Sequence, residues 1–334
     1  MAYSSSANYA TMADLASRMD EKGGIAKIAE ILSTEKPILR YLKFMECNMT
    51  EGHKHNVRTG LPDVTWRRMY KGVQPSKSTV ASMIDTTGNL EAYAEVDKDL
   101  ADINGNTAEF RLSEDRAFLE RMSQEMETTI LYGDVSKSPD KFTGIAARYS
   151  SLKAANARNL IRCTDSPSGK VTSCYFLSFT EKTLSGIYPK GSIVGVQRKD
   201  KGQVTLRDEN GHPFEGYQTH YKWQAGVTLS DWRGCSRLAN IEVTKLTDPA
   251  SDYFTNGILL QKLMEAKNAI KPEYKSSCRL FVPQDVANAL EVIALEKSNN
   301  ALSIKEAAGQ FKTYFFEFPV EICDSISLDE TVIK

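Results

Sequence analysis

The clearest periodic pattern in the chain is a helical stripe near its middle. Between positions 104 and 132, apolar residues recur at spacings of three and four, which places them on one face of a helix. Asn106 and Glu109 have the spacing of a capping box at its start, and Gly133 follows its end. The pattern predicts a helix over 104–132 whose core-facing stripe consists of Phe118, Leu119, Met122, Met126 and Ile130.

Oppositely charged residues four positions apart flank this stripe. The pairs are Arg111/Asp115, Arg116/Glu120 and Arg121/Glu125. Each pair of this kind stabilises a helix by only about 0.3 kcal/mol. We therefore expect a solvated face here and no functional site.

Alternating polar and apolar positions before the helix predict β-strands. The alternation runs through 64–70, a β-rich run covers 79–84, and a further alternation covers 90–96, with turn residues between them. Residues 52–96 are therefore predicted to form a long β-ribbon. The ribbon is poor in large apolar residues, and an isolated two-stranded ribbon is marginally stable in water. We expect it to lie on another surface, in the same chain or in a neighbour.

The two ends of the chain have different patterns. Residues 12–19 and 25–32 have helical spacing, interrupted by Gly23-Gly24 and ended by Pro37, which predicts an arm of two short helices. Beyond residue 150 strands and helices are mixed, so the fold class is α+β. The predicted strands cover 173–179, 203–206, 216–225, 226–231, 237–246, 279–282 and the region 311–322, and the predicted helices cover 253–270 and 283–296.

Charge and composition narrow the classes of function. The 334 residues include 42 Lys and Arg against 43 Asp and Glu, a net charge of −1. This balance argues against a dedicated nucleic-acid binder, although it permits weak passive contact. No apolar run approaches the roughly 18 residues of a membrane helix, and the N-terminus lacks a signal pattern, so we expect no membrane partner. The six scattered cysteines, none in a C-x-x-C pair, are expected to be reduced thiols in a cytoplasm.

A search for catalytic motifs finds only partial matches. Gly169-Lys170 lacks the first glycine and the Ser/Thr of a phosphate loop, and no nucleophile elbow occurs. His53 and His55 share one face of a strand and could hold a metal, but no further ligands are evident, so an exposed strand face is favoured. We expect no catalytic residue, no cofactor and no metal, and hence a protein that is not an enzyme.

A basic and aromatic cluster on the ribbon leaves two interpretations open. Its members are Trp66, Arg67, Arg68, Tyr70, Lys71 and Lys77. Interleaved cations and aromatic rings are typical of nucleic-acid contacts. They also suit a strand pair that meets a neighbouring copy of the chain. The near-neutral chain favours contact between subunits.

Long ordered strings extend from about residue 55 to the end of the chain. They include Thr59-Gly-Leu-Pro62, Gly72-Val-Gln-Pro-Ser-Lys-Ser78, Glu95-Val-Asp-Lys-Asp-Leu-Ala-Asp102, Gly186-Ile-Tyr-Pro-Lys-Gly191 and Thr219-His-Tyr-Lys-Trp223. In these strings the chain resembles the major capsid proteins of tailed bacteriophages, especially those of short-tailed phages. The resemblance implies the Hong Kong 97 capsid fold. It would comprise an N-terminal arm (1–51), an extended E-loop (52–96), a spine helix with part of the peripheral domain (97–150), and an axial domain with returning peripheral strands (151–334).

The resemblance also implies a function. Such proteins form hexamers and pentamers that close into an icosahedral phage head around double-stranded DNA, assembled in the bacterial cytoplasm. The implied partners are further copies of the chain, portal, scaffolding and decoration or cementing proteins, and weakly bound DNA on the inner face. The E-loop would contact a neighbouring subunit through the basic and aromatic cluster, with Glu95 and Asp97 at its base. An encapsulin-like compartment, which shares the fold but encloses a cargo enzyme, is the alternative.

Overall fold

The computed structural model describes residues 36–50, 52–102, 107–208, 210–295, 302–307 and 310–334. The two predicted helices of the N-terminal arm and the capping residue Asn106 lie outside these residues. The helices are α1 (Pro37–Tyr41), α2 (Lys98–Asp102), α3 (Thr107–Tyr132), α4 (Ile145–Arg148), α5 (Val243–Leu246), α6 (Asp252–Thr255), α7 (Ile258–Ala269) and α8 (Gln284–Leu295). Short 3-10 turns cover Ala157–Asn159, Trp232–Gly234 and Pro272–Ser277.

Fourteen strands alternate with these helices over the described residues. They are β1 (Phe44–Glu46), β2 (His53–Gly60), β3 (Thr79–Asp85), β4 (Thr87–Asp97), β5 (Leu160–Arg162), β6 (Val171–Ser178), β7 (Leu184–Tyr188), β8 (Val196–Arg207), β9 (Pro213–Leu229), β10 (Ser236–Glu242), β11 (Cys278–Val282), β12 (Leu302–Ala307), β13 (Gln310–Phe315) and β14 (Phe318–Ile322).

The chain divides into two compact units, each built from separated segments. Among the described residues, the small unit comprises 89–126 and 193–224, and the large unit comprises 36–88, 127–192 and 225–334. Helix α3 and strand β9 each contribute residues to both units.

A seven-stranded sheet forms the centre of the large unit. Its strand order is β12-β13-β14-β11-β6-β10-β5, and β6 runs antiparallel to both β10 and β11. Every residue of β6 is buried. Helices α7 and α8 cover the sheet, and their buried residues join those of the strands in one apolar cluster that contains Phe176, Leu263 and Leu290. This continuous burial explains why Val171–Ser178 is apolar or small at nearly every position.

The small unit is held together by charges as well as by apolar packing. Arg111 on α3 pairs with Asp200 on β8 at 2.6 Å, and Arg198 on β8 pairs with Asp115 on α3 at 2.8 Å. The predicted Arg111/Asp115 pair within the helix is therefore wrong, because both side chains reach across to the adjacent strand. The predicted Arg121–Glu125 pair is present at 3.4 Å.

Helix α3 confirms the predicted helix over its described length. Met122, Met126 and Ile130 are buried as expected, and Phe118, partly buried, stacks on Tyr221 with 6.4 Å between ring centroids. Leu119 differs from the prediction, since 36% of its surface is exposed. Position 119 lies at the edge of the apolar face of the helix, so its side chain is only partly covered.

Several predicted element boundaries are wrong. The strand predicted over 203–206 is longer, Val196–Arg207, and three other differences have a local reason. The strand predicted to break at Gly226 runs on to Leu229, because this glycine serves close packing and not a turn: an added Cβ would lie 2.6 Å from the Thr86 carbonyl oxygen. The strand predicted over 237–246 ends at Glu242, where α5 begins. The helix predicted over 253–270 is split by Gly257, whose φ of 62° is left-handed.

All six cysteines are buried free thiols. In the part of the chain that the structure describes, no helix is long and apolar enough to span a bilayer. Within that part, no group of three or more His, Cys, Asp or Glu side chains is arranged to hold a metal ion.

Candidate assembly interface

The ribbon is predicted to continue to residue 96, but β4 pairs with β9 in another sheet. The ribbon itself consists of strands β2 and β3. They pair antiparallel as a two-stranded sheet, from His53 opposite Asp85 to Gly60 opposite Thr79. The register shifts between Arg58 and Gly60, where the regular pairing ends. The ribbon belongs to the large unit.

The tip of the ribbon, residues 61–78, has no regular strand. The prediction of a strand over 64–70 is therefore wrong. A turn brings the Lys71 amide within 3.2 Å of the Arg68 carbonyl oxygen, and Tyr70 takes a left-handed φ of 63°. Ser76 donates a hydrogen bond to the Asp63 carbonyl oxygen at 2.8 Å across the tip. The alternating side chains face solvent on both sides, so no buried face holds the segment in a pleated strand.

The ribbon tip exposes large apolar side chains almost completely. Trp66 and Tyr70 are as accessible as in an extended chain, at 105% and 102%. Val64 and Met69 are 90% and 85% exposed. Exposed apolar surface continues along β3, through Val80, Met83 and Ile84. So many exposed large apolar side chains are unusual on a monomer, and exposed apolar patches on proteins are often binding surfaces.

All of the predicted contact residues at the tip are exposed together. They are Trp66, Arg67, Arg68, Tyr70, Lys71 and Lys77. Residues 61–78 carry four cationic side chains and one carboxylate, that of Asp63. The tip therefore combines apolar rings with a net positive charge.

Glu95 and Asp97 lie apart from the paired strands of the ribbon. They belong to β4, which is a strand of another sheet and of the small unit at these positions. Glu95 accepts a hydrogen bond from Gln218. Asp97 accepts hydrogen bonds at the start of α2, from the Asp99 amide at 2.9 Å. Both carboxylates therefore stabilise the small unit's own fold.

The base of the ribbon contains a buried charged group that sequence reasoning missed. Arg148, at the end of α4, donates to Asp85 Oδ1 at 2.8 Å and to the carbonyl oxygens of Thr143 and Val227. His55 Nδ1 lies 3.6 Å from Asp85 Oδ2. The exposed strand face favoured for His53 and His55 is wrong at His55, whose side chain is only 8% exposed because it packs beside Asp85. Arg148 gave no local signal, since it lies 63 residues from Asp85.

Burial sets the protonation states of the side chains where the ribbon begins. It lowers the pKa of His55, and the neighbouring charges of Arg148 and His53 act in the same direction, while Asp85 opposes them. Burial also raises the pKa of the nearby Cys47 thiol, as do the carboxylates of Glu46 and Asp85. Near neutral pH, His55 and the Cys47 thiol are therefore both uncharged beside the Asp85–Arg148 ion pair at the base of the ribbon.

Comparisons with known proteins agree with this architecture. A chain in the near-atomic-resolution structure of bacteriophage Epsilon15 is similar, with a TM-score of 0.76 at 26% sequence identity, and the alignment covers 97% of each chain. The bacteriophage JBD30 capsid gives a TM-score of 0.50 at 8% identity, covering 89% of this chain and 92% of that one. An encapsulin complex from Synechococcus elongatus gives a TM-score of 0.41 at 10% identity, covering 68% and 95%, a level that supports no conclusion. No match is found among curated proteins.

A family description, major capsid protein GP7, matches residues 20–334, which is nearly the whole chain. The Epsilon15 and JBD30 similarities place the mixed helix and sheet architecture among phage capsids of the Hong Kong 97 fold. The chain therefore belongs to the major capsid protein GP7 family and is a structural protein of a phage capsid shell.

Proposed function

We propose that the chain assembles into hexamers and pentamers that close an icosahedral head around double-stranded DNA, and that the ribbon tip of each subunit lies on a neighbouring subunit. The observation that carries this proposal is the exposure of Trp66 and Tyr70, at 105% and 102%. Closed symmetry lets one chain bury such surfaces repeatedly, with each copy covering part of the next.

The energetic argument favours contact between copies. Burying one large apolar side chain contributes about 2 kcal/mol. The tip also carries cations that can meet carboxylates of a neighbour. It exposes six large apolar side chains: Leu61, Val64, Trp66, Met69, Tyr70 and Val73. Contact with packaged DNA is proposed to be weak and independent of sequence, since a chain of net charge −1 supplies no general attraction for phosphates.

The remaining roles follow from family membership. We propose that the protein is not an enzyme, because the family is one of structural shell proteins. Portal, scaffolding and decoration or cementing proteins are its proposed partners. Assembly in the host cytoplasm is supported by six buried thiols that form no disulfide.

Electron microscopy of the purified full chain, expressed with the neighbouring phage proteins, tests the proposal. We expect closed shells that contain nuclease-protected double-stranded DNA. Shells that contain a protein cargo and no DNA would instead support an encapsulin-like compartment. A chain that stays monomeric, in infected cells as well as after purification, would contradict both.

A further inference from the structure

The point where the ribbon joins the rest of the large unit is formed by four polar side chains from three elements. His53 and His55 lie on the same face of β2, Asp85 ends β3 opposite His53, and Arg148 ends α4. The side chains of His55 and Asp85 are each 8% exposed, and that of Arg148 is 12% exposed. The backbones approach closely here, because a Cβ added to Gly52 would clash with the Asp85 carbonyl oxygen.

Several atoms of this group are buried without a hydrogen-bond partner. Among the described side chains they include both ring nitrogens of His55, Nδ1 of His53, Oδ2 of Asp85 and Nε of Arg148. Unsatisfied polar atoms at a buried junction are costly, and an added charge there is more so. Adding a proton to this group of side chains would therefore destabilise the junction.

The charges at the junction balance only while the imidazole of His55 is neutral. Arg148 and Asp85 form one ion pair at 2.8 Å. A proton on His55 adds a second cation beside Arg148, and among the described residues the carboxylate of Asp85 is the one that pairs with His55. Cys47, also near Asp85, stays a neutral thiol, because burial and the carboxylates of Glu46 and Asp85 raise its pKa.

We propose that His53, His55, Asp85 and Arg148 form an acid-sensitive latch that fixes the base of the ribbon at neutral pH and loosens it when His55 gains a proton. The bonds between the Asn48 side chain and the Lys54 main chain, at 2.6 and 2.8 Å, are unaffected by that proton and keep β2 attached. The latch thus changes the freedom of the ribbon without unfolding the subunit.

The direction of the pH dependence follows from linkage. The pKa of His55 in the closed state is below its ordinary value of 6.5, because burial opposes the charged form. The open state therefore binds a proton more readily than the closed state. As the pH falls below 6.5, the ratio of open to closed ribbon rises. While only the open state is protonated, each further pH unit increases this ratio by nearly tenfold.

Hydrogen exchange of the full-length protein, followed by mass spectrometry at pH 7.5 and 5.5 and corrected for the intrinsic effect of pH, tests the latch. We expect faster corrected exchange at pH 5.5 in residues 53–58 and 80–85, and no change in the buried strand β6. His55→Gln, which cannot gain this proton, should lose the difference between the two pH values. His212→Gln is the matched control, because the His212 side chain is 77% exposed on the β8–β9 turn.

Equal exchange of the ribbon strands at both pH values would overturn the latch. So would a pH difference that persists in His55→Gln. If that variant fails to fold, the wild-type comparison of the ribbon with β6 decides the matter alone. The measurement is made on the subunit, so it stands whether or not the proposed shell forms.

Discussion

The guanidinium of Arg237 and the carboxylate of Glu330 form a buried ion pair. Arg237 Nη2 lies 2.7 Å from Glu330 Oε2, and the two side chains are 6% and 5% exposed. Tyr132, the last residue of α3, and Ser173 on β6 also donate hydrogen bonds to Glu330. One carboxylate near the C-terminus therefore ties together the long helix and two central strands of the large unit.

Glu330→Gln should strongly destabilise the subunit. The change leaves Arg237 as an uncompensated buried cation, which costs about 3–5 kcal/mol. Urea unfolding followed by tryptophan fluorescence measures this loss. Asp329→Asn is the adjacent control: its pair with Lys170 spans 3.8 Å with both side chains about 70% exposed, and exposed pairs contribute below about 1 kcal/mol. A Glu330→Gln loss as small as that of the control would show that the pair does not fix the C-terminal segment.

Met122→Asp should unfold the subunit, whereas Leu112→Asp should not. Both residues lie on α3, but Met122 is 4% exposed and Leu112 is 52% exposed. An unpaired carboxylate at the buried position costs several kcal/mol. At the exposed position the cost is mainly the lower helix propensity of aspartate, about 0.5 kcal/mol. Circular dichroism of the two variants distinguishes them. A folded Met122→Asp subunit would contradict the assignment of this helix face to the core.

The free energy of unfolding should depend on pH through Glu127. Burial raises the pKa of Glu127 to about 7, against the hydrogen bonds that it accepts from the Ile38 amide and Ser325. Between pH 4.5 and 7 the folded protein keeps a proton that the unfolded chain releases, so stability falls as the pH rises through this window.

Glu127→Gln removes that dependence. Between the two ends of the window the wild type should lose on the order of 3 kcal/mol of unfolding free energy that the variant keeps. Urea unfolding of both proteins at pH 4.5 and pH 8 provides the comparison. A difference between wild type and variant that is constant with pH would show that Glu127 is charged throughout.

Arg67→Gln combined with Arg68→Gln should separate subunit contact from DNA contact. If the tip meets a neighbouring subunit, the yield of shells falls while the DNA content of each remaining shell is unchanged. Arg158→Gln, at an exposed site of the large unit, should alter neither quantity. Shells formed in normal yield but with less DNA would assign the tip cations to nucleic acid.

The sequence predicted what depends on local periodicity and missed what depends on contacts distant in the chain. Met122, Met126 and Ile130 lie at helical spacing, and their burial follows from that spacing. The partners Arg237 and Glu330 lie 93 residues apart, and no pattern marks either as half of a pair.

Glycine shows the same limit. Gly257 ends a helix because its φ is 62°, whereas Gly226 sits inside a strand because another backbone passes close to it. The sequence alone does not distinguish a glycine needed for a turn from one needed for packing. At the ribbon tip, alternation predicted a strand, but a strand also needs a partner or a buried face, and residues 61–78 are almost wholly exposed.

The central claim is that the ribbon tip joins subunits into a shell, and sedimentation velocity of Trp66→Ala tests it most directly. Trp223→Ala is the control, because Trp223 is 8% exposed and its loss should destabilise the subunit by about 3–5 kcal/mol. We expect Trp66→Ala to keep the unfolding free energy of the wild-type subunit and to sediment as small species under conditions where the wild type forms shells. Shells of normal yield and stability from Trp66→Ala, or unfolding of its isolated subunit, would contradict the account.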